Sequence, residues 1–104
     1  MAKIRLTPLA LSDLQEIKSY ITNELCNPIA AKKVVNKIID DYSLLEISPL
    51  MGAPLSSKIQ FETDYRFLVS GNYIVFYKPE DEYVSIYRIL YGKRDYIKIL
   101  LGDI

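Results

Sequence analysis

Two runs of β-branched and aromatic residues near the C-terminus constrain the fold of this chain more than any other feature. They cover residues 73–77 and 84–91, and valine, isoleucine and tyrosine dominate both. Residues of these types favour strands. The polar segment 78–82 contains a proline and is short enough to close an antiparallel hairpin through a turn of four or five residues. The hairpin would carry Gly92, Lys93 and Arg94 to one end of a sheet, where charge can be presented to a partner.

Composition places the chain among globular proteins of one domain. It has 104 residues, of which half are hydrophobic and a quarter are charged. This length suits a single core, so we expect one domain over residues 1–104. The 13 basic residues balance the 13 acidic ones, and no overall field attracts nucleic acid or an anionic membrane.

The absence of histidine and the single cysteine exclude many kinds of site. An internal disulfide, a Cys/His zinc site and histidine-based catalysis are all ruled out. We therefore predict no cofactor and no metal, and we interpret Cys26 as a small buried or half-buried apolar residue at a helix end. The first residues lack the apolar core of a signal peptide, and no apolar run approaches the roughly 20 residues that span a bilayer. A cytoplasmic protein with no membrane partner is the expectation.

One short strand and two amphipathic helices are predicted before the hairpin. Residues 3–7 alternate polar and apolar side chains, which indicates a strand. Thr7 with Pro8, and Asn27 with Pro28, are typical helix starts. The first helix carries an apolar stripe at spacings of three or four, formed by Leu11, Leu14, Ile17, Ile21 and Leu25. The second runs to about Glu46 with its own stripe of Ala31, Val34, Val35, Ile38, Tyr42 and Leu45. The two helices should form a hairpin that covers one face of the sheet.

A loop and a β-meander complete the predicted fold. Residues 48–57 are rich in proline, glycine and serine and predict a loop. Residues 58–61 are interpreted as a short strand or the end of that loop, residues 65–69 as a strand, and 70–72 as the turn before residues 73–77. After Asp95 the apolar residues indicate a short closing helix or turn. The fold class is α+β: an N-terminal strand, a two-helix hairpin packed on an antiparallel meander, and a short C-terminal helix or turn.

The order of these elements resembles the RelE/ParE superfamily, the toxins of type II toxin–antitoxin modules. The match covers nearly the whole chain. Its residues are Ala10, Asp13, Leu14, Ile17, Tyr20 and Ile21 in the first helix, Pro49, Gly52 and Pro54 in the loop, and Arg66, the run 72–77 and the run 88–95 in the sheet. The resemblance implies a toxin that inhibits growth when free and a cognate antitoxin that suppresses it. The expected assembly is a homodimer or a toxin–antitoxin hetero-oligomer.

The resemblance leaves the target open between two branches. RelE-like members are ribosome-dependent mRNA endoribonucleases, whereas ParE-like members bind DNA gyrase and cut no RNA. The nuclease branch usually has arginine where this chain has Ile74, and many members have histidine where it has Tyr91. Both departures favour a gyrase inhibitor, or an atypical nuclease. A non-toxic α+β interaction module is the further alternative.

The candidate site residues are cations and one tyrosine of the sheet region. If the protein is RelE-like, the resemblance implies that Arg66, Lys93 and Arg94 are catalytic, because without histidine the cations must stabilise the developing phosphorane charge. The target-binding residues are predicted to be Arg66, Arg88, Tyr91, Lys93 and Arg94. For Arg88 a structural role is an equal alternative, paired with a carboxylate such as Asp13 or Asp95. Tyr91 could stack on a base or cover the sheet edge.

Overall fold

In the computed structural model, the protein consists of a five-stranded mixed sheet with two helices packed on one face. The structure describes residues 2–59, 62–93 and 99. The elements in chain order are β1 (Lys3–Leu6), α1 (Pro8–Ser19), α2 (Pro28–Ser43), β2 (Ala53–Pro54), β3 (Arg66–Ser70), β4 (Tyr73–Pro79) and β5 (Tyr83–Tyr91). The strand order is β1-β5-β4-β3-β2. The α+β class and the helix pair packed on the meander are as predicted.

The two hairpins of the meander have shorter turns than the sequence indicated. Gly71 has φ +59°, which only glycine adopts readily, and with Asn72 it makes a two-residue connection between β3 and β4. β4 extends to Pro79, so three residues, 80–82, connect it to β5, and the Glu80 N–H donates to the Tyr83 carbonyl at 2.7 Å. The predicted four- or five-residue turn was too long because pairing continues through Lys78 and Pro79.

Two pairings depend on contacts that are distant in sequence. β1 lies parallel to β5, with Leu6 opposite Ile86, and so adds a parallel strand to the antiparallel meander. β2 pairs with β3 in a segment that was predicted to be loop throughout, and a 3₁₀ turn at Leu55–Ser57 follows it. For the segment 58–61, predicted as a short strand or the end of the loop, the structure shows Lys58 in a turn and Ile59 in a bend, and residues 60 and 61 lie outside the described residues. The predicted helix or turn after Asp95 also lies mostly outside them.

The helices begin where the sequence predicts. Thr7 Oγ1 accepts from the Ala10 N–H at 3.1 Å, and Asn27 Oδ1 accepts from the Ala30 N–H at 3.0 Å. The ends differ. The first helix stops being α-helical at Ser19 and continues as a π-helical turn, Tyr20–Glu24, so the predicted stripe loses its phase and Leu25 is exposed. The second ends in a 3₁₀ turn, Leu44–Glu46.

At the corner between the helices, the prediction that Cys26 is buried or half-buried was wrong. Cys26 is exposed, rather than half-buried, and has φ +50°, a left-handed conformation typical of the residue after a helix. The backbone reversal, not apolar packing, determines its position.

Alternating side chains give the sheet a core on each face. The helix face buries Ala10, Leu14, Ile38, Tyr42, Leu45, Val75, Tyr77, Val84, Ile86 and Ile89. The opposite face buries Leu55, Ile74, Phe76 and Leu90, with Ile59, Tyr65, Phe67 and Ile99 packed against them. The helix stripes are therefore confirmed at Leu14, Ile21 and Ile38, whereas Leu11 is exposed.

Candidate functional site

Arg66 lies at the start of β3 and binds the loop that follows the second helix. Its guanidinium donates to the Gly52 carbonyl from Nε at 3.2 Å and from Nη2 at 2.6 Å, and to the Leu50 carbonyl at 3.1 Å. These hydrogen bonds fix the backbone of the loop against the sheet. They engage the side chain in a structural contact, and its predicted role in target binding or catalysis stays a prediction.

Tyr77 of β4 binds the backbone of the same loop from the sheet, a role that was not predicted from the sequence. Its buried hydroxyl donates to the Pro49 carbonyl at 2.9 Å and accepts from the Gly52 N–H at 2.9 Å. A tyrosine at an inward position of a central strand is a sequence signal for such a contact, because a buried hydroxyl needs a partner. Which partner it finds depends on the fold.

Arg88 forms a buried ion pair with Asp13, one of the two carboxylates expected for it. The contact is bidentate, with Nε and Nη2 each 2.8 Å from a carboxylate oxygen. Asp13 Oδ2 also accepts from the Ile89 N–H at 2.9 Å. The hydrogen bond that Arg88 donates to Asp13 is the main reason why the pKa of Arg88 is raised. Asp13 therefore joins α1 to β5 and satisfies a backbone group that no strand reaches.

Among the described residues no strand lies beside the second half of β5 on the side of β1, which explains why a carboxylate is needed there. β1 ends at Leu6, and the last contacts on its side of β5 are the Thr7 N–H to the Ile86 carbonyl at 3.0 Å and Thr7 Oγ1 to the Tyr87 carbonyl at 2.8 Å. Beyond them Asp13 takes the place of a neighbouring strand at Ile89. The last residues of β5 consequently form a sheet edge beside the helices.

The candidate cations do not gather in one place among the described residues. Arg66 is opposite Tyr77, whereas Tyr91 is opposite Tyr73, four residues along β4. At about 3.3 Å per residue this separates Arg66 from the end of β5 by about 13 Å along the strand, and Lys93 follows two residues later. Lys93 is exposed. Arg94 lies outside the described residues, so its predicted role stays a prediction.

A groove of about 830 Å³ lies between the helix pair and the end of β5. The helices contribute Asp13, Glu16, Ile17, Tyr20, Ile21, Leu25, Ala30 and Val34, and the sheet contributes Asn72, Tyr73, Ile89, Leu90 and Tyr91. Tyr91 is 38% exposed, and its ring meets that of Tyr73 edge-on at 5.8 Å. Of the predicted site residues, Tyr91 alone is among the described residues that line this groove, which is largely apolar and has Asp13, but not Arg88, in its wall.

The opposite face of the sheet is filled rather than open. Phe76 is fully buried there beneath Leu55, and Tyr65 stacks obliquely on Tyr87 with ring centroids 5.0 Å apart. Burial is the main reason why the pKa of Tyr65 is raised. In the part of the chain that the structure describes, the centre of this face is an apolar cluster, and the ammonium groups of Lys58 and Lys78 lie 5.0 Å from the ring centroid of Phe67 and 5.8 Å from that of Tyr65.

Metal binding and membrane insertion find no support in the described residues. No three histidine, cysteine, aspartate or glutamate side chains in residues 2–59, 62–93 and 99 are grouped to hold an ion. Over the same residues no helix has the length and apolar character to cross a bilayer.

Comparisons with known proteins agree with this architecture. Among solved structures, a chain from the chromosomal ParDE TA system of P. aeruginosa is similar, with a TM-score of 0.75, 22% identity, and coverage of 89% of this chain and 98% of that one. YafQ from E. coli strain BL21(DE3) is also similar, with a TM-score of 0.56, 18% identity, and coverage of 99% and 100%. At these identities the likeness shows the fold. No curated protein matches the sequence.

A family model gives the more specific result. The model for the ParE toxin of the type II toxin-antitoxin system, parDE, matches residues 4–96. This range covers all but the first residue of β1, both helices, the meander and the turn after β5. The superfamily resemblance is thereby confirmed, and the chain belongs to the ParE toxin family of type II toxin–antitoxin systems.

Proposed function

We propose that this toxin acts as a ParE-like inhibitor of DNA gyrase and not as a ribosome-dependent mRNA endonuclease. The observation that carries the proposal is the engagement of the candidate cations within the protein. Arg66 donates to loop carbonyls and Arg88 to Asp13, and Lys93 lies at the far end of the sheet from Arg66. The transition state of phosphodiester cleavage requires several hydrogen-bond donors or cations directed at the same phosphate group. These three cations support binding at separate places better than concerted phosphoryl chemistry.

The filled outer face of the sheet supports the same choice. An RNA-cleaving surface needs an open cleft in which the backbone meets cations and the bases meet aromatic rings. Here Leu55, Ile59 and Ile99 pack over that face. Its lysines, Lys58 and Lys78, lie over the rings of Phe67 and Tyr65. A protein target such as gyrase can instead be bound through exposed side chains at the end of the sheet, including Lys93 and Tyr91.

The test of this proposal compares two activities of one induced protein. We expect inhibited supercoiling by purified gyrase, DNA-damage signalling in cells, and intact transcripts when transcript ends are mapped. Lys93→Ala should weaken supercoiling inhibition while leaving the thermal midpoint within about 2 °C, since exposed turn residues rarely affect stability. Lys32→Ala, on the exposed side of α2, is the matched control.

Codon-phased cuts in mRNA would overturn the gyrase proposal. In that case Arg66, Lys93 and Arg94 would be the candidates for catalysis, and Arg94→Ala should lower cleavage by a large factor without unfolding the protein. A protein that inhibits neither process and does not slow growth would instead fit the non-toxic interaction module. Each of the three outcomes identifies a different function.

We further propose that a cognate antitoxin suppresses the toxin by binding in the groove beside β5. The lining is mostly apolar, and the edge of β5 offers backbone groups to an added strand or helix. An occupant would cover Tyr91, a predicted target-binding residue. A cytoplasmic location follows from such a module, and either a homodimer or a toxin–antitoxin hetero-oligomer is compatible with the groove.

A further inference from the structure

The groove beside β5 combines two acids with a group of tyrosines, and the described residues that line it include no cation. Asp13 and Glu16 are the only charged residues among the described residues that line it. Its aromatic residues are Tyr20, Tyr73 and Tyr91. Such a surface attracts positive charge, because carboxylates and the faces of aromatic rings are both negative.

The two acids are not equivalent. Asp13 is buried, and Arg88 and the Ile89 N–H engage both of its oxygens. Glu16 is exposed on the same helix and forms no ion pair with any residue in the described ranges. Arg88 carries one positive charge, which pairs directly with Asp13 and interacts with Glu16 only through space, so the three groups together leave one net negative charge beside the groove.

The tyrosines lie close to that charge and to one another. Glu16 and Tyr20 are four residues apart, and α1 runs on into the π-helical turn, so both face the same side. The rings of Tyr73 and Tyr91 are 5.8 Å apart. Burial is the main cause of the raised pKa of Tyr73, and the nearby hydroxyls of Tyr91 and Tyr20 add to it. Tyr73 and Tyr91 are thus in direct contact, and Tyr20 lines the same groove.

We propose that Glu16, Tyr20, Tyr73 and Tyr91 form a recognition site for an arginine side chain of the antitoxin. This inference rests on the proposed antitoxin groove. A guanidinium fits better than an ammonium, because it is planar, stacks on aromatic faces and bonds a carboxylate with two parallel N–H groups. The apolar walls, formed by Ile17, Ile21 and Val34, would hold the flanking apolar residues of the same segment.

Charge complementarity makes the site selective. A segment that is only apolar would bury Glu16 without a partner, and burial of an unpaired carboxylate is unfavourable. A segment with arginine at the matching position satisfies it. Glu16 is thus a specificity-determining residue that distinguishes the cognate antitoxin from apolar or acidic segments of other antitoxins.

The test measures how tightly the protein encoded by the neighbouring reading frame binds to full-length toxin variants. Glu16→Gln should raise the Kd by roughly threefold to tenfold at about 0.05 M salt and by less at about 0.5 M, as expected for a partly exposed ion pair. Tyr20→Leu should weaken binding by a similar factor, whereas Tyr20→Phe, which keeps the ring, should change it little. Glu24→Gln is the matched control, an exposed acid of the π-helical turn outside the groove lining.

A charge exchange identifies the partner residue. Glu16→Arg should abolish tight binding, and replacement of one antitoxin arginine by glutamate should restore it, while the same change at its other arginines should not. Circular dichroism of each variant confirms that the fold is retained. If replacement of an antitoxin lysine by glutamate restores binding to the Glu16→Arg toxin instead, the recognised residue is not an arginine and the proposal is overturned.

The outcomes separate this inference from the proposed function. If wild-type toxin binds no neighbouring gene product, both the antitoxin groove and the arginine site are wrong. If it binds and Glu16→Gln and Tyr20→Leu leave the Kd within twofold, the arginine site alone is wrong. If these variants lower gyrase inhibition and leave antitoxin binding unchanged, the groove belongs to the target and the inference is likewise overturned.

Discussion

Asp41 shows how a single side chain links a helix to the sheet and makes stability depend on pH. Its Oδ2 accepts from Ser70 Oγ at 2.6 Å and lies 3.0 Å from Lys37 Nζ. The hydrogen bond from Ser70 is the largest cause that lowers the pKa of Asp41 below its usual 3.8, and Lys37 lowers it further. The folded state therefore favours the ionised carboxylate more than the unfolded chain does.

The direction of the pH effect follows from that shift. Because the folded-state pKa is the lower one, the stabilisation by Asp41 is complete above the unfolded value of about 3.9 and is lost as the pH falls through the folded value. We expect the difference in free energy of unfolding between wild type and Asp41→Asn to be constant from about pH 5 to 7 and to shrink below about pH 4. Urea titrations at each pH measure it. Asp40→Asn, at the exposed neighbour, is the control, and an equal pH dependence in both variants would contradict the prediction.

At the scale of elements, the loop after the second helix is held more firmly than its composition suggests. Two side chains, Arg66 and Tyr77, supply its backbone with partners from the sheet. Gly52 is required because a Cβ there would collide with the Phe67 carbonyl and lie 2.7 Å from Tyr77 Oη. A loop rich in proline and glycine is thus an ordered part of the sheet edge.

Removal of the Tyr77 hydroxyl should release this loop. Tyr77→Phe leaves the Pro49 carbonyl and the Gly52 N–H without their partner, which should lower stability by about 1–3 kcal/mol. Amide exchange at Gly52 should accelerate more than exchange in β4. Tyr83→Phe provides the comparison, since its hydroxyl makes no hydrogen bond to the described residues. Unchanged exchange at Gly52 would show that the loop is held by other contacts.

At the scale of the whole molecule, the helix layer and the sheet depend on the apolar face between them. Ile38 of α2 is 1% exposed, whereas Ile17 of α1 is half-buried against the same core. The structure therefore predicts unequal effects for two residues that the helical pattern treats alike.

Truncation of the two isoleucines tests that ranking. Ile38→Ala should lower the free energy of unfolding by about 2–5 kcal/mol, because the cavity is enclosed. Ile17→Ala should lower it by less than about 2 kcal/mol, since water reaches part of the site. Denaturant unfolding measures both. Equal losses would mean that α1 packs more deeply than its exposure indicates.

The fold class followed from the sequence because local patterns specified it. Three kinds of pattern depend only on residues close in sequence: the strand-forming runs, the apolar stripes, and the helix starts at Thr7 with Pro8 and at Asn27 with Pro28. The family resemblance and the pairing of Arg88 with Asp13 could likewise be predicted. The end of the first α-helix could not, because the π-helical turn keeps an apolar spacing that resembles a continuous helix.

The placement of the candidate site was decided by the tertiary structure. The pairing of β1 with β5 and of β2 with β3 joins segments that are separated in sequence. In the β4–β5 hairpin, a bulge that leaves Tyr87 without an opposite residue changes the register. These pairings direct Arg66 to the loop and Tyr91 to the groove. The sequence by itself determined the first strand, the two helices, the three strands of the meander and the family to which the chain belongs, but not β2. Only the assembled sheet decided which polar groups meet, because hydrogen-bond partners depend on the distance between side chains and not on their separation along the chain.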